Sequence, residues 1–261
     1  MRIVSLQSGS NGNSVFVEAN GIRLLFDAGL TGAKTEERLT EVGVDVRSVH
    51  GVLISHDHSD HVKGAGVLQR KFELPIWITR KTCEAASANR KSPVHLESPQ
   101  FFKAGERIRF ENNVIVETLS TPHDAVDGVG FIVDDGSVRF GILTDLGHVF
   151  SELKQVFPTL GGVLIESNYD PKMLDMNENY PAWLKNRIRG KHGHLSNRDA
   201  ALLIKNAGFR LRVACLGHLS QENNTPELAL EPYQAKSFKR TFPIRIAARE
   251  NGVELWNSDV E

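Results

Sequence analysis

Ser55-His56-Asp57-His58-Ser59-Asp60-His61 places three histidines and two aspartates within seven positions of this 261-residue chain. The stretch directly follows residues 49–54, an apolar run that predicts a buried strand. The cluster therefore falls where a strand ends and a loop begins. Imidazole and carboxylate groups are the ligands that bind zinc and similar divalent ions in proteins. We predict a metal site at the end of this strand.

The number of ligands within the stretch indicates more than one ion. A metal that keeps a position open for water needs about three protein ligands. His56, His58, Asp60 and His61 already offer four. We therefore expect two divalent metal ions, zinc or manganese, with iron also compatible, because imidazole and carboxylate ligands suit all three.

Composition and charge describe an ordinary soluble protein, with 40% hydrophobic and 24% charged residues. The formal net charge of −1 gives no general attraction to nucleic acid or anionic membranes, so a polyanion site must be local. Two cysteines are too few for a disulfide framework, and neither a signal peptide nor a membrane-spanning run is found in the sequence. We expect a cytoplasmic protein with no membrane association, and the oligomeric state stays open.

Predicted strands and helices alternate along the chain, without a linker, repeat or low-complexity tract. The predicted strands are residues 2–6, 14–19, 22–26, 49–54, 75–79, 106–110, 114–119, 130–134, 138–143, 162–165 and 210–216. The predicted helices are residues 35–42, 63–72, 81–89, 151–157, 182–189 and 196–207, with another beginning at Thr225-Pro226. Asn20-Gly21 and Asn251-Gly252 predict hairpins near the two ends of the chain. We predict one domain over residues 1–261.

Three single residues beyond the first cluster also follow predicted strands: His123, Asp145 and His218. Each alone is more often an ordinary polar loop residue than a ligand. Strand ends on one edge of a sheet converge in space, however, so in combination with the dense cluster the three residues predict one composite site. Asp27, at another strand end, fits either an acceptor for a ligand histidine or a turn residue.

This pattern resembles the metallo-β-lactamase fold superfamily. The first cluster matches the H-x-H-x-D-H signature of that superfamily, and the later residues match its ligand positions in order and context across essentially the whole chain. The resemblance implies an α/β fold, an αββα sandwich of the metallo-β-lactamase type with a dinuclear metal site at one edge. It further implies the metal ligands His56, His58 and His123 for one ion, Asp60, His61 and His218 for the other, and Asp145 as the bridge.

Within the superfamily, several segments are similar to phosphodiesterases of the PhnP and YycJ/WalJ type. They are Ser8-Gly9-Ser10-Asn11-Gly12-Asn13-Ser14, Thr144-Asp145-Leu146-Gly147, Glu166-Ser167-Asn168-Tyr169-Asp170 and Gly193-His194-Leu195-Ser196. Gly217-His218-Leu219-Ser220-Gln221-Glu222-Asn223-Asn224 most resembles the YycJ/WalJ subgroup, which is exonuclease-like. The interval between Asp145 and His218 is too short for the β-CASP insertion of ribonuclease J relatives.

The resemblance implies a dinuclear metal-dependent phosphodiester hydrolase, and we expect a DNA exonuclease with a metal-bound hydroxide as nucleophile. Asp60 and His194 are the expected catalytic residues, with His194 as general acid or phosphate contact. The alternative is that His194 is only a residue at the entry of the helix that Ser196 caps. Two alternatives remain: a small-molecule cyclic nucleotide or phosphoribosyl phosphodiesterase of the PhnP type, and a non-catalytic metal-binding regulatory protein.

A local basic run leads to His194 and is formed by Lys185, Arg187, Arg189, Lys191 and His192. Such residues bind phosphates without reading sequence, although a solvated helix face has the same composition. From this region we predict Arg189 and Lys191 as substrate contacts with DNA. Asn223 is a third predicted contact; it and Asn224 either orient substrate or cap the helix that begins at Thr225.

Overall fold

Two seven-stranded sheets pack face to face in a computed structural model that describes residues 1–235, 238 and 241–258. From edge to edge, the first sheet contains β14 (Val253–Asn257), β1 (Arg2–Gln7), β2 (Ser14–Ala19), β3 (Ile22–Phe26), β4 (Gly51–Leu53), β5 (Ile76–Thr79) and β6 (Gln100–Phe102). The second contains β13 (Ile244–Ile246), β12 (Val213–Gly217), β11 (Gly162–Glu166), β10 (Arg139–Leu143), β9 (Val129–Asp134), β8 (Ile115–Ser120) and β7 (Arg107–Arg109).

Helices cover the outer face of each sheet. They are α1 (Gly32–Glu41), α2 (Ser59–Val62), α3 (Ala65–Phe72), α4 (Arg80–Ala88), α5 (Ser151–Val156), α6 (Pro171–Met176), α7 (Ala182–Ile188), α8 (Asn197–Lys205) and α9 (Pro226–Gln234). Leu39 of α1 and Leu68 of α3 belong to the hydrophobic cluster on the first sheet. Leu203 of α8 and Ala229 of α9 belong to the corresponding cluster on the second sheet. The layers therefore form the predicted αββα sandwich.

The core between the sheets is built from strands that are apolar on both faces. In β3, Leu24 and Phe26 face the second sheet, whereas Leu25 packs toward the helices, as the two-residue period of a strand requires. The Phe26 and Phe131 rings lie 5.1 Å apart between centroids, so the two sheets share this core. The assignment of residues 1–261 to one domain stays a prediction.

Most predicted elements are present, with shifted ends, and the hairpin of β2 and β3 at Asn20-Gly21 is confirmed. The hairpin predicted at Asn251-Gly252 is wrong. The strand before it, β13, pairs parallel with β12, whereas β14 after it pairs antiparallel with β1 in the other sheet. The Asn-Gly turn joins two sheets because distant strand edges offer the pairing, which a local turn signal does not encode. Strand β6 and helix α6 have no counterpart among the predicted elements.

The directions of the strands determine at which edge of the sandwich the predicted site lies. In the first sheet β3 and β4 are parallel, and in the second β10, β11 and β12 are parallel. Because β9 is antiparallel to both β8 and β10, β8 runs in the same direction as β10. The carboxyl ends of these strands meet at one edge of the sandwich. Within the described ranges, no helix combines the length and apolar character needed to cross a membrane.

Candidate metal centre

The seven predicted metal ligands come together at this edge. The first cluster follows β4, with α2 beginning just after His58; the other ligands follow β8, β10 and β12. Ligand atoms within each of three groups lie within 4.8 Å of one another. The groups are His56, His58 and His123; His56, His61 and Asp145; and Asp60, His61 and His218. Residues far apart in sequence thus form one continuous cluster.

In most of these histidines, one ring nitrogen is hydrogen-bonded to another group of the protein, and the other ring nitrogen faces the cluster. His61 Nδ1 donates to Asp27 Oδ2 at 2.7 Å, and His123 Nδ1 donates to the Gly193 carbonyl at 2.9 Å. His218 Nδ1 lies 3.0 Å from Glu166 Oε1. Carboxylate and carbonyl partners of this kind fix the tautomer and orientation of metal-binding histidines.

Three buried atoms at the centre lack a hydrogen-bond partner among the described residues: His56 Nε2, Asp145 Oδ2 and His218 Nε2. Buried polar atoms in folded proteins are nearly always satisfied, so their convergence calls for a bound group. Two imidazole nitrogens and a carboxylate oxygen are donors that suit a divalent transition-metal ion. The residues present therefore fit the metal that the sequence predicts.

The protonation states follow from burial and from the neighbouring charges. Burial lowers the pKa of His56 well below its usual value, and the nearby His61 lowers it further, so the His56 ring is neutral. Burial also lowers the pKa of His61 and His218, but carboxylates outweigh it and raise both, that of His218 to about 10. Protons on these two rings offset the buried aspartates, and metal ions would displace them on binding.

The aspartates are ionised for the same reason. Burial raises the pKa of Asp60, but His61 and His218 hold that pKa well below its usual value. Burial likewise raises the pKa of Asp145, and His218 and His61 again outweigh it, so that its pKa lies well below normal. Asp60 Oδ2 is 3.5 Å from His61 Nε2 and 3.7 Å from His218 Nε2. Both carboxylates are in the form that binds cations.

Three residues at strand ends have left-handed backbone conformation, with φ of 66° at Asp27, 57° at Asp145 and 55° at His218. Residues other than glycine rarely adopt this conformation, and it concentrates at functional sites. Asp27 also accepts from the backbone N–H of Ser55 at 2.7 Å and from its hydroxyl at 2.9 Å. The geometry of Asp27 fits the first of its two predicted roles, that of an acceptor for His61. Its hydrogen bonds also connect the end of β3 to the histidine cluster.

The glycine-rich loop after β1 packs against Asp60. Asn13 Nδ2 donates to Asp60 Oδ2 at 3.2 Å and to the Gly9 carbonyl at 3.1 Å. Gly29 lies so close that a Cβ atom there would sit 1.7 Å from the Asp60 carbonyl oxygen. Only glycine at position 29 allows the segment after β3 to approach the backbone of Asp60 this closely.

Glu166 is a further residue of the site, for which the sequence predicts no role. Its side chain is fully buried at the end of β11, and its two oxygens accept four hydrogen bonds. The donors are Leu146 N at 2.8 Å, Leu195 N at 3.0 Å, His194 Nδ1 at 2.7 Å and His218 Nδ1 at 3.0 Å. Burial raises the pKa of Glu166, but the adjacent His194 and these hydrogen bonds lower it below its usual value. The sequence signal for a functional role of this residue is an acidic side chain at the end of an otherwise apolar strand.

His194 belongs to the site rather than only to the entry of α8. Its Nδ1 lies 3.7 Å from Asp145 Oδ1, and its ring centroid lies 5.0 Å from that of His123. Burial lowers the pKa of His194, but Glu166 outweighs it and raises that pKa above its usual value. This shift favours the protonated ring, which lines the open space beside the cluster.

That space is a cavity of about 230 Å³. It is lined by Ser10, His58, Asp60, Asp124, Asp145, Leu184, Arg187, Ile188, Gly193, His194 and His218. Arg187 of α7 reaches it, with Nε and Nη2 at 2.7 and 2.5 Å from Asp124 Oδ2. Asp124 Oδ1 in turn lies 3.3 Å from His123 Nε2. A guanidinium is thus held beside the candidate ligands.

The three predicted substrate contacts do not line this cavity. Arg189 is paired with Asp175, at 2.6 Å between Nη2 and Oδ1. Lys191 is exposed, and its carbonyl accepts from His148 Nδ1. Asn223 is 1% exposed and accepts from Asn177 Nδ2 at 2.8 Å. Of the basic run, the structure brings Arg187 to the cavity instead.

An αββα sandwich with a histidine–aspartate cluster at its edge defines a metal-dependent hydrolase of the metallo-β-lactamase type. The chain belongs to the metallo-β-lactamase superfamily, whose family model matches residues 8–170. The predictions of this family and of a metal-binding hydrolase are thereby confirmed, and the non-catalytic alternative is set aside.

Three individual proteins that are similar to this chain make the comparison with the family more specific. The chain is 39% identical over 229 residues to the exodeoxyribonuclease WalJ of Streptococcus pneumoniae, covering 86% of this chain and 83% of that protein. It is 34% identical over 225 residues to the exodeoxyribonuclease YycJ of Bacillus anthracis, covering 86% and 84%. A solved diphosphatase of the PhnP family shares the fold with a TM-score of 0.66 at 14% identity, covering 97% of each chain.

Proposed function

We propose that this protein is an exodeoxyribonuclease that hydrolyses DNA phosphodiester bonds from an end, with two divalent metal ions. The observation that carries the proposal is that all seven candidate ligands form one cluster and that four of them, His58, Asp60, Asp145 and His218, line a common cavity. Similarity to two exodeoxyribonucleases over 86% of the chain supports DNA as the substrate. Arg187 adds a cation where a phosphate would enter.

The geometry supports a division of the ligands between two ions. His56, His58 and His123 would hold one ion, and Asp60, His61 and His218 the other. Asp145 Oδ1 lies 3.6 Å from His123 Nε2 and 3.2 Å from His218 Nδ1, and its Oδ2 lies 3.2 Å from His61 Nε2, so the carboxylate lies between the two ligand groups. This is the arrangement expected of a bridging carboxylate. Two zinc or manganese ions, or iron, would supply an activated water as nucleophile and neutralise charge on the phosphate.

The chain's own residues then bind and orient the substrate and move protons. Arg187 binds a phosphate oxygen, and its ion pair with Asp124 fixes the guanidinium beside the cavity. His194 donates a proton to the leaving oxygen, because Glu166 orients that ring and raises its pKa. Asp60 and Asp145 stay ionised and hold cations. Each role follows from a contact that the described residues make.

A degradation time course on end-labelled DNA tests the proposal. Single-stranded and duplex DNA would be incubated with manganese or zinc and wild-type protein, Asp60→Ala or Asp145→Asn. We expect stepwise loss of nucleotides from one end by the wild type and loss of activity to background in both variants, with their circular dichroism spectra unchanged. Full activity in either variant would refute the assigned ligands.

A 2′,3′-cyclic nucleotide serves as the small-substrate comparison in the same assay. Intact DNA together with rapid opening of the cyclic nucleotide would favour the PhnP-type phosphodiesterase over the exonuclease. Degradation of DNA with little opening of the cyclic nucleotide is the outcome that we expect.

A further inference from the structure

Helix α7 presents a large exposed aromatic side chain beside the cavity. Leu184, Arg187 and Ile188 of this helix line the cavity. Trp183 precedes Leu184 and lies four residues before Arg187, so Trp183 and Arg187 share one face of the helix. Trp183 is 66% exposed, whereas Trp256 is 1% exposed in the core. An exposed indole ring therefore projects from the same side of the helix as Arg187, close in sequence to the residues that line the cavity.

The position of this helix relative to the candidate metal ligands is fixed. A Cβ atom on Gly193 would lie 2.1 Å from the Ile188 carbonyl, so this loop packs directly against the end of α7. The Gly193 carbonyl accepts from His123 Nδ1, and Asp124 binds Arg187. No residue of α7 is buried, so packing in a hydrophobic core does not account for the tryptophan.

The charge around the tryptophan suits a nucleic acid. Residues 182–194 contain Lys185, Arg187, Arg189 and Lys191 but no acidic residue, although the whole chain has a net charge of −1. Two of these cations pair with aspartates outside the segment, Arg187 with Asp124 and Arg189 with Asp175. Proteins bind single-stranded nucleic acid by combining positive charge, which follows the backbone, with aromatic rings on which bases stack. Trp183 and Arg187 provide both elements on one helix face.

We propose that Trp183 stacks on the nucleobase next to the phosphodiester that is hydrolysed, so that the site takes a DNA end with at least one unpaired nucleotide. This inference rests on the proposed exonuclease function. A base inside a duplex has both faces covered by its neighbours, and unstacking it costs free energy that an already unpaired end does not require. Single-stranded and frayed ends are therefore the preferred substrates, and Trp183 determines that preference.

Tryptophan fluorescence tests the stacking directly. The chain has three tryptophans, of which Trp256 is buried and Trp77 is half-buried, so DNA quenching reports mainly on Trp183. A single-stranded phosphorothioate oligonucleotide, which resists hydrolysis, is added to the metal-loaded protein. We expect quenching by the single strand, weaker quenching by a blunt duplex, and no quenching in Trp183→Phe although that variant still binds. Equal quenching in wild type and Trp183→Phe would overturn the proposal.

Kinetics on single-stranded DNA provide the second readout. We expect Trp183→Ala to raise KM for the single strand by about 5- to 100-fold with kcat nearly unchanged, and Trp183→Phe to retain most of the affinity. Phe209→Ala is the matched control, because Phe209 is 94% exposed but lies near the start of β12, at the opposite edge of the sheet. The control should match the wild type.

The outcomes separate the two proposals. DNA degradation by the wild type, with an unchanged KM in Trp183→Ala or the same KM increase in Phe209→Ala, would overturn the stacking role and leave the exonuclease standing. Failure of the wild type to degrade any DNA would overturn the proposed function and the stacking role together.

Discussion

At the scale of single residues, the buried carboxylate of Glu166 links two of the histidines that line the cavity, His194 and His218. Glutamine has the same shape, but its amide group cannot accept from all four N–H groups that now point at the carboxylate. We expect Glu166→Gln to lower the free energy of unfolding by roughly 1–3 kcal/mol, because buried donors lose their acceptor. Metal affinity should fall about 10- to 100-fold, because His194 and His218 lose their orientation. Urea unfolding and metal titration measure the two effects.

Glu117→Gln is the control for this substitution. Glu117 on β8 pairs with Arg139 at 2.6 Å and with Arg107 at 2.9 Å, away from the metal centre. Its loss should cost about 1 kcal/mol or less and leave metal affinity unchanged. A Glu166→Gln variant that behaves like this control would show that the carboxylate does not organise the site.

The clustering of the seven candidate ligands could be predicted because their spacing and their place after strands are local properties of the sequence. The choice between Arg187 and Arg189 could not be made that way, since residues two apart point to nearly opposite sides of a helix. Only the contact of α7 with the cavity selects Arg187. Glu166 stayed without a role for a similar reason, because its four partners come from three separate segments.

At the scale of elements, turns at the edge opposite the site join the two sheets. Asn20 Nδ2 donates to the carbonyls of Asn112 and Asp135, and Asn112 Nδ2 donates to the Asn20 carbonyl at 2.9 Å. Asn112 also has a φ of 55°, which alanine adopts poorly. We expect Asn112→Ala to destabilise the protein by about 1–2 kcal/mol in urea unfolding, without loss of nuclease activity.

Asn112→Gly separates the contribution of the side-chain hydrogen bonds to stability from that of the positive φ. Glycine adopts a positive φ freely, so this variant loses only the side-chain hydrogen bonds and should lie between the wild type and Asn112→Ala. Identical midpoints for the alanine and glycine variants would show that the backbone conformation contributes nothing.

A local turn signal predicts a hairpin correctly where the two strands that it connects pair with each other, as at Asn20-Gly21. They failed at Asn251-Gly252, where the flanking strands pair with β12 and β1 instead of with each other. β13 pairs with β12, the strand before it in the chain, whereas β14 joins a sheet whose other strands all come from residues 2–102. That pairing is decided by which strand edges the assembled sheets leave open, which no window of sequence contains.

At the scale of the whole molecule, the candidate metal centre joins the two sheets. His56 and His61 follow β4 in the first sheet, whereas Asp145 and His218 follow β10 and β12 in the second. Ions bound at this edge would hold the sheets together, and a ligand that binds only the folded state raises its stability by about 2.7 kcal/mol at a concentration of 100 Kd. We therefore expect chelation to lower the temperature of global unfolding, and added zinc or manganese to restore it, as followed by circular dichroism.

Asp145→Asn distinguishes binding at this centre from binding elsewhere. Asparagine keeps the size of the side chain but removes the charge that faces both ligand groups, so added metal should raise the unfolding temperature of this variant less than that of the wild type. Loss of the circular dichroism signals of strands and helices should stay concerted in both proteins, since the ligands span both sheets. An equal metal-dependent gain in the variant would place the stabilising ions outside this cluster, and no gain in the wild type would contradict a metal centre that joins the sheets.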